Sequence, residues 1–322
     1  MRYAITEGIT ALADSSKNDK KAPHTDFQVL LFVVCMCFVS AFLLALAAYS
    51  LEKPQQAAKE FDQSKQMLIA AKILNHAGYF EILEEDGGAA RARFDVQSQM
   101  LIADPNAPRA LDDHISQLSK LRIRPLLTDK NGAVFTLEEK NLTLPSYLAE
   151  NKKGGYASLP LKLFYALLPN ELKVGDVTAA EISKDPSKVY AYVIPVSGFG
   201  LWAPIYGFIA LGPNGDSVMG TTWYEHGETP GLGANITAPW WQNQFYGKLI
   251  FQESAGGKVD LQTADMGIIV VKGKVRDVYG SSSKAKSAVD GMSGATLTGD
   301  GVTQAYRNSL SPYRTFLMKV HK

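Results

Sequence analysis

The sequence predicts an α+β protein carried on a single N-terminal transmembrane helix. Three observations predict this class. Residues 29–49, VLLFVVCMCFVSAFLLALAAY, contain no charge. A helical spacing of apolar residues follows from Pro54 to about Leu74 and returns after residue 296. From residue 187 onward, several segments carry the β-branched and aromatic enrichment of strands.

The elements follow in chain order. Residues 1–26 are polar and are expected to form a poorly ordered cytoplasmic tail. Residues 27–50 form the expected transmembrane helix, since about 20 apolar residues cross a hydrocarbon core of roughly 30 Å. The rival is a cleaved signal peptide, with Ala45-Leu46-Ala47 before Ala48 as the cleavage site. The apolar run is longer than the about 7–15 residues of a signal sequence, and a long polar leader precedes it, which favours a retained anchor. Arg2, Lys17, Lys20 and Lys21 precede the span, and Lys53, Lys59 and Lys65 follow it. This slight bias puts the N-terminus in the cytoplasm.

Residues 51–185 read as a helical linker and an α+β region. Pro54 suits the first turn of a helix, and Asn75-His76-Ala77-Gly78 reads as its end. Glu84-Glu85-Asp86-Gly87-Gly88 reads as a charged turn. Thr128–Phe135 reads as a hairpin in which Asn131-Gly132 supplies the positive-φ positions. Residues 186–322 form the expected functional domain. Its strands are 189–196, 206–211, 217–224 and 266–274. A helix is expected from Thr237, as cap, to about Tyr246, with Pro239 in its first turn. A last helix presents Val302, Ala305, Tyr306 and Ser309 on one side and extends past Pro312 through Tyr313, Phe316 and Leu317.

Composition narrows the function. Lys and Arg number 33 against 32 Asp and Glu, a formal net charge of +1, so no nucleic-acid partner is indicated. Both cysteines, Cys35 and Cys37, lie in the apolar span, which leaves the rest of the chain without thiolate ligands for an iron–sulfur cluster. His226, between Glu225 and Glu228, does not repeat a zinc spacing, and no metal site is assigned. No catalytic acid or base is assigned either.

Two stretches carry chemistry. Asp290-Gly291-Met292-Ser293-Gly294-Ala295-Thr296 is a small-residue loop that ends on a hydroxyl and leads into a helix. Gly294 and Ala295 leave the backbone sterically open beside Thr296, and a helix start favours an anion. The bland alternative is a capping loop in which Thr296 or Thr298 caps the helix. The second stretch is Glu225-His226-Gly227-Glu228-Thr229-Pro230-Gly231-Leu232-Gly233, a tight turn after a strand. A planar ligand laid on it would meet Leu232 on its face and the polar groups of Glu228 and Thr229 at its edge. His226 reads equally well as a structural histidine. Trp202 is a further candidate for aromatic contact.

These residues resemble a known family. Asp-x-x-Ser-Gly-Ala-Thr at 290–296 is similar to the flavinylation motif of the periplasmic flavin transferase. Together with Glu-His-x-Glu-Thr-Pro-Gly-Leu-Gly it resembles the FMN-binding domain shared by two membrane redox complexes. Gly200-Leu201-Trp202-Ala203-Pro204-Ile205-Tyr206-Gly207 looks more like the NqrC family of sodium-translocating NADH:quinone oxidoreductases than like its RnfG counterpart in Rnf complexes. The resemblance covers roughly residues 25–78 and 185–312. It implies covalent FMN on Thr296 through its phosphate, with Ser293, Gly294 and Ala295 around the attachment and Asp290 and Ser293 serving the transferase. It also implies partner redox subunits and single-pass anchoring in a bacterial inner membrane, with the C-terminal domain periplasmic. A non-redox binding module on one anchor is the alternative from another class.

Overall fold

The computed structural model describes residues 25–84, 88–151, 155–253 and 259–321. The polar tail up to residue 24 and the middle of the charged turn, residues 85–87, lie outside the described residues. Two compact units are present, one ending at Ala58 and one spanning Lys59–Lys322.

The first unit is helical. Helix α1, Asp26–Ala70, is the one helix among the described residues long and apolar enough to cross a membrane. Its apolar stretch is fully exposed, with Phe32 and Phe38 at 65% and 75%. A contiguous apolar surface of this extent needs lipid or another protein to cover it. Pro54 lies inside α1 rather than in a first turn. Its missing N–H costs one helical hydrogen bond, but the flanking residues are mostly good helix formers and the helix continues.

In the second unit α1 ends at Ala70, earlier than expected. Lys72 takes a left-handed φ of 59°, and the N–H groups of Ile73 and Leu74 both reach back to the Leu68 carbonyl. Asn75–Gly78 is therefore a turn and not a helix end. The Asn75 side chain accepts the Tyr79 N–H at 2.9 Å, and Gly78 supplies a φ of 85°. Strands β1 (Phe80–Leu83), β2 (Ala89–Asp95) and β3 (Met100–Ala103) form a small antiparallel sheet. Helix α2 (Asp112–Arg122) leads directly into β4 (Ile123–Thr128), and β5 (Val134–Phe135) pairs back on it. In that hairpin only Gly132 adopts positive φ, at 70°. Asn131 does not, because Asp129 Oδ1 accepts the N–H groups of both Asn131 and Ala133 at 2.9 Å and sets a different turn.

Helix α3 (Leu144–Asn151), β6 (Lys162–Leu167) and α4 (Ala179–Lys184) follow, then β7 (Ala191–Phe199), β8 (Pro204–Leu211) and β9 (Val218–Glu225). The main sheet has the order β5-β4-β6-β7-β8-β9, with every neighbour antiparallel. Both faces are covered, so the apolar runs of β6 and β7 are continuous rather than alternating. In β6, Phe164 and Ala166 enter the core on one face, while Leu163, Tyr165 and Leu167 enter the core on the other.

The remaining elements are short. Helix α5 is only Pro239–Gln242, with tighter 3-10 turns at Gly233–Thr237 and Asn243–Phe245 on either side. Ala238, not Thr237, is its cap, because the Thr237 hydroxyl already donates to the Ala234 carbonyl at 2.9 Å. The expected strand at 266–274 shrinks to β10, Ile269–Val270, which pairs in parallel with β11, Ala288–Val289. Gly267 and Gly273, with φ of 114° and 97°, turn the chain out of the ladder on both sides. Helix α6 (Val275–Tyr279) lies between those two strands. Helix α7 (Thr296–Leu310) and α8 (Arg314–Val320) close the fold, and Val302, Ala305, Tyr306, Ser309, Tyr313, Phe316 and Leu317 are all buried, as their spacing predicts.

Helix α7 lies close against β7. A Cβ on Gly198 would fall 2.5 Å from Ala305 Cβ, and one on Gly301 would fall 2.2 Å from the Phe199 carbonyl oxygen. Ser309 Oγ accepts the Ser197 N–H at 3.0 Å. This packing brings the start of α7 beside the loop that leaves β7.

Candidate functional site

Three loops converge at the start of α7. The first is the Gly200–Ala203 turn between β7 and β8, closed by a Gly200 N–H to Ala203 carbonyl bond of 2.9 Å. The second is the 226–233 segment after β9. The third is the 290–295 loop between β11 and α7.

The third loop is held from behind. Trp241, fully buried, donates its ring N–H to the Asp290 carbonyl at 3.0 Å, and Gln244 accepts the Asp290 N–H at 3.0 Å. The Asp290 carboxylate accepts the Val275 N–H at 2.8 Å and pairs with Lys274 at 3.1 Å. Burial alone would raise the Asp290 pKa. The Val275 N–H and Lys274 outweigh it and hold the carboxyl below its ordinary range. Ala295 and Met292 face inward, whereas Ser293, Gly294 and Thr296 are exposed. Thr296 is the first residue of α7 and Ala295 its cap, and no side-chain cap bond is formed. The capping-loop alternative therefore does not describe this turn: neither threonine caps the helix.

The second loop packs on the third. Gly294 has a φ of 72°, and a Cβ there would fall 2.9 Å from Leu232 Cδ2. Leu232 is 42% exposed, and Trp202 is 67% exposed on the neighbouring turn. Glu228 is buried beneath them. Its Oε2 accepts the Thr298 hydroxyl at 2.5 Å, and its Oε1 accepts the Trp202 N–H at 3.0 Å. His226 Nδ1 accepts the Glu228 N–H at 3.2 Å, which fits the structural reading of that histidine. Trp240 is exposed and Trp241 is a core residue. Beside Thr296 runs a narrow cleft lined by Val270, Lys272, Gly273, Gly291 and Asp300. Lys272 and Asp300 form a loose pair across it, at 3.8 Å.

The geometry suits a ligand joined at Thr296. The hydroxyl-bearing residue is exposed, its neighbours are small, and the nearby surface offers Leu232 and Trp202 as apolar faces. The cleft itself is far smaller than a three-ring ligand would need.

The family model for the FMN-binding domain matches residues 200–311. The NqrC subunit of the Na(+)-translocating NADH-quinone reductase from Chlamydia caviae is 43% identical over 308 residues, covering 95% of this chain and 96% of that protein. This chain belongs to the NqrC family. The corresponding subunit from Yersinia pestis is 28% identical over 297 residues, covering 92% of this chain and 93% of that protein. The crystal structure of NqrC from Shewanella oneidensis is 20% identical, with a TM-score of 0.49 over 81% of this chain and 99% of that one.

In this NqrC-family chain, several parts of the site are not signalled by residue type. Thr298 reads in the sequence as a possible cap or as a substitute acceptor for Thr296, yet its hydroxyl faces a buried carboxylate. Lys272 and Gly273 come from a segment with strand composition. Glu228 also carries a pH consequence. Burial raises its pKa, but the Thr298 hydroxyl and the N–H groups of Trp202, Leu201 and Ala203 prevail, so the folded value lies below the ordinary glutamate range. A depressed folded pKa contributes stability above the unfolded value of about 4.3 that is lost as pH falls through the folded value. Thermal melts from about pH 3 to about pH 7 should show that Glu228→Gln flattens this acid limb and lowers stability most at neutral pH. An unchanged limb would mean that the carboxylate titrates alike in both states.

Proposed function

We propose that this chain relays electrons within a sodium-translocating NADH:quinone reductase, through an FMN joined by its phosphate to Thr296. One observation carries the reading: two motifs about 70 residues apart, Glu228–Gly233 and Ser293–Thr296, close on each other around an exposed threonine at the start of a helix. The FMN-binding match over residues 200–311 and the NqrC relatives support it.

The residues fit that cofactor. Thr296 supplies the nucleophilic oxygen. Attachment displaces the leaving group of an activated flavin phosphate, and the hydroxyl proton passes to a base of the transferase. Gly294 and Ala295 keep the approach open, and the N–H groups at the start of α7 favour the phosphodiester anion. Leu232 and Trp202 offer apolar contact to the ring, Thr229 a polar one, and Ser293 lies beside the attachment point. When bound, FMN supplies the electron-transfer chemistry, while the protein sets its position and electrostatics. The segment 186–322 holds these groups, and 27–50 anchors them in the bacterial inner membrane. Partners are the other subunits of the complex, and the flavin transferase during maturation.

Topology gives a direct test. The charge-free span and the extracytoplasmic flavin transferase implied by the resemblance put residues from about 52 onward in the periplasm. An alkaline-phosphatase fusion at the C-terminus should be active, and the mature chain should retain its first residues. An inactive fusion reverses the orientation. A mature chain beginning at Ala48 makes residues 1–47 a signal peptide.

A further inference from the structure

We propose that Glu228 is a positioning residue for the acceptor threonine: its buried carboxylate fixes the first turn of α7 to the Gly200–Ala203 turn and so holds Thr296 in the orientation that accepts flavin. The proposal rests on the attachment of FMN at Thr296.

The carboxylate is built into the fold from several sides. It is 5% exposed. Oε2 receives the Thr298 hydroxyl at 2.5 Å, and Oε1 receives the Trp202 N–H at 3.0 Å. The N–H groups of Leu201 and Ala203 also stabilise the anion. Two glycines leave it room. A Cβ on Gly200 would fall 2.4 Å from Oε1, and one on Gly233 would fall 2.7 Å from Oε2 and 2.6 Å from Thr298 Oγ1. A buried carboxylate with these partners is costly to leave half-satisfied, so the three loops are held together or separate together.

Position explains the consequence. Thr298 follows Thr296 by two residues in the same helical turn, so the Thr298–Glu228 bond fixes the direction in which that turn starts. With both oxygens engaged inside the protein, Glu228 acts on the flavin site through Thr298 and Trp202. A nucleophile held in one orientation reacts faster than one that samples many. Losing the bond slows attachment without removing the acceptor oxygen.

The test follows flavin attachment by intact mass. Full-length chain in membranes is mixed with the flavin transferase and an activated flavin nucleotide, and the flavinylated fraction is timed. Thr298→Val removes the hydroxyl at nearly constant shape, Thr298→Ser keeps it, and Glu228→Gln removes the charge and replaces one of the two acceptor oxygens by an amide donor. Attachment should slow by about fivefold or more in Thr298→Val and Glu228→Gln, while Thr298→Ser stays near wild type. Melting curves check that each variant is folded. Should Glu228→Gln not fold, the Thr298→Val and Thr298→Ser pair decides alone. Wild-type rates in folded Thr298→Val, or a Thr298→Ser as slow as Thr298→Val, overturn the proposal. Thr296→Ala separates the two claims: flavin retained in that variant removes the attachment site itself, whereas its loss together with a normal Thr298→Val removes only the role of Glu228.

Discussion

Thr296→Ala should abolish covalent flavin. The intact mass should fall to that of the bare chain, and in-gel flavin fluorescence should disappear. The fold should survive, because the Thr296 side chain is exposed and alanine is well accommodated at a helix start. The loop does not depend on this hydroxyl: Trp241, Gln244, Val275 and Lys274 all hold it through Asp290. From the sequence, Thr298 is the obvious substitute if fluorescence persists. The structure weakens that option, since Thr298 is 1% exposed and its hydroxyl is committed to Glu228. Exposed Ser293, on the same loop, then becomes the better suspect. Fluorescence persisting in the double variant Thr296→Ala/Ser293→Ala would move the attachment out of this loop altogether. A melting temperature close to wild type is needed for the loss to be read as chemistry.

Much of the chain was legible because burial is periodic. The spacing of Val302, Ala305, Tyr306 and Ser309 predicted the buried face of α7, and β-branched and aromatic enrichment marked β7 through β9. The misses share a physical cause: local chemistry lost to tertiary context. Pro54 reads as a helix start, yet the helix runs through it. Thr237 reads as a cap, but its hydroxyl turns back to Ala234. The 266–274 run has strand composition, but two glycines at positive φ confine pairing to two residues. In the site, Thr296, Gly294 and Leu232 could be named because their motifs are contiguous. The contact between those motifs could not be read, since it depends on α7 packing against β7 at Gly198 and Gly301. Region 79–185 was hardest, because its strands β4 and β6 build a sheet with β7 from beyond residue 185.

The flavin-loaded chain, purified alone, should not oxidise NADH. Gly231-Leu232-Gly233 begins a dinucleotide-binding fingerprint after a strand, but position 236 is isoleucine and the third glycine is missing. The local fold removes the remaining ambiguity. Gly233 opens a 3-10 turn of five residues rather than the long helix whose N-terminus would receive a pyrophosphate. Its bare face is also taken, since a Cβ there would already touch Thr298 Oγ1 and the Glu228 carboxylate. A backbone approach by phosphate would have to displace that cluster. Without a held nicotinamide, hydride has no fixed path to the flavin, and the advantage of proximity is lost. Stopped-flow mixing with NADH should leave the flavin absorbance unchanged, while dithionite bleaches it. The assembled complex should reduce the same flavin from NADH, because the resemblance implies that electrons enter on another subunit. Rapid bleaching of the isolated protein by NADH would place a nucleotide site on it and make it an electron entry point.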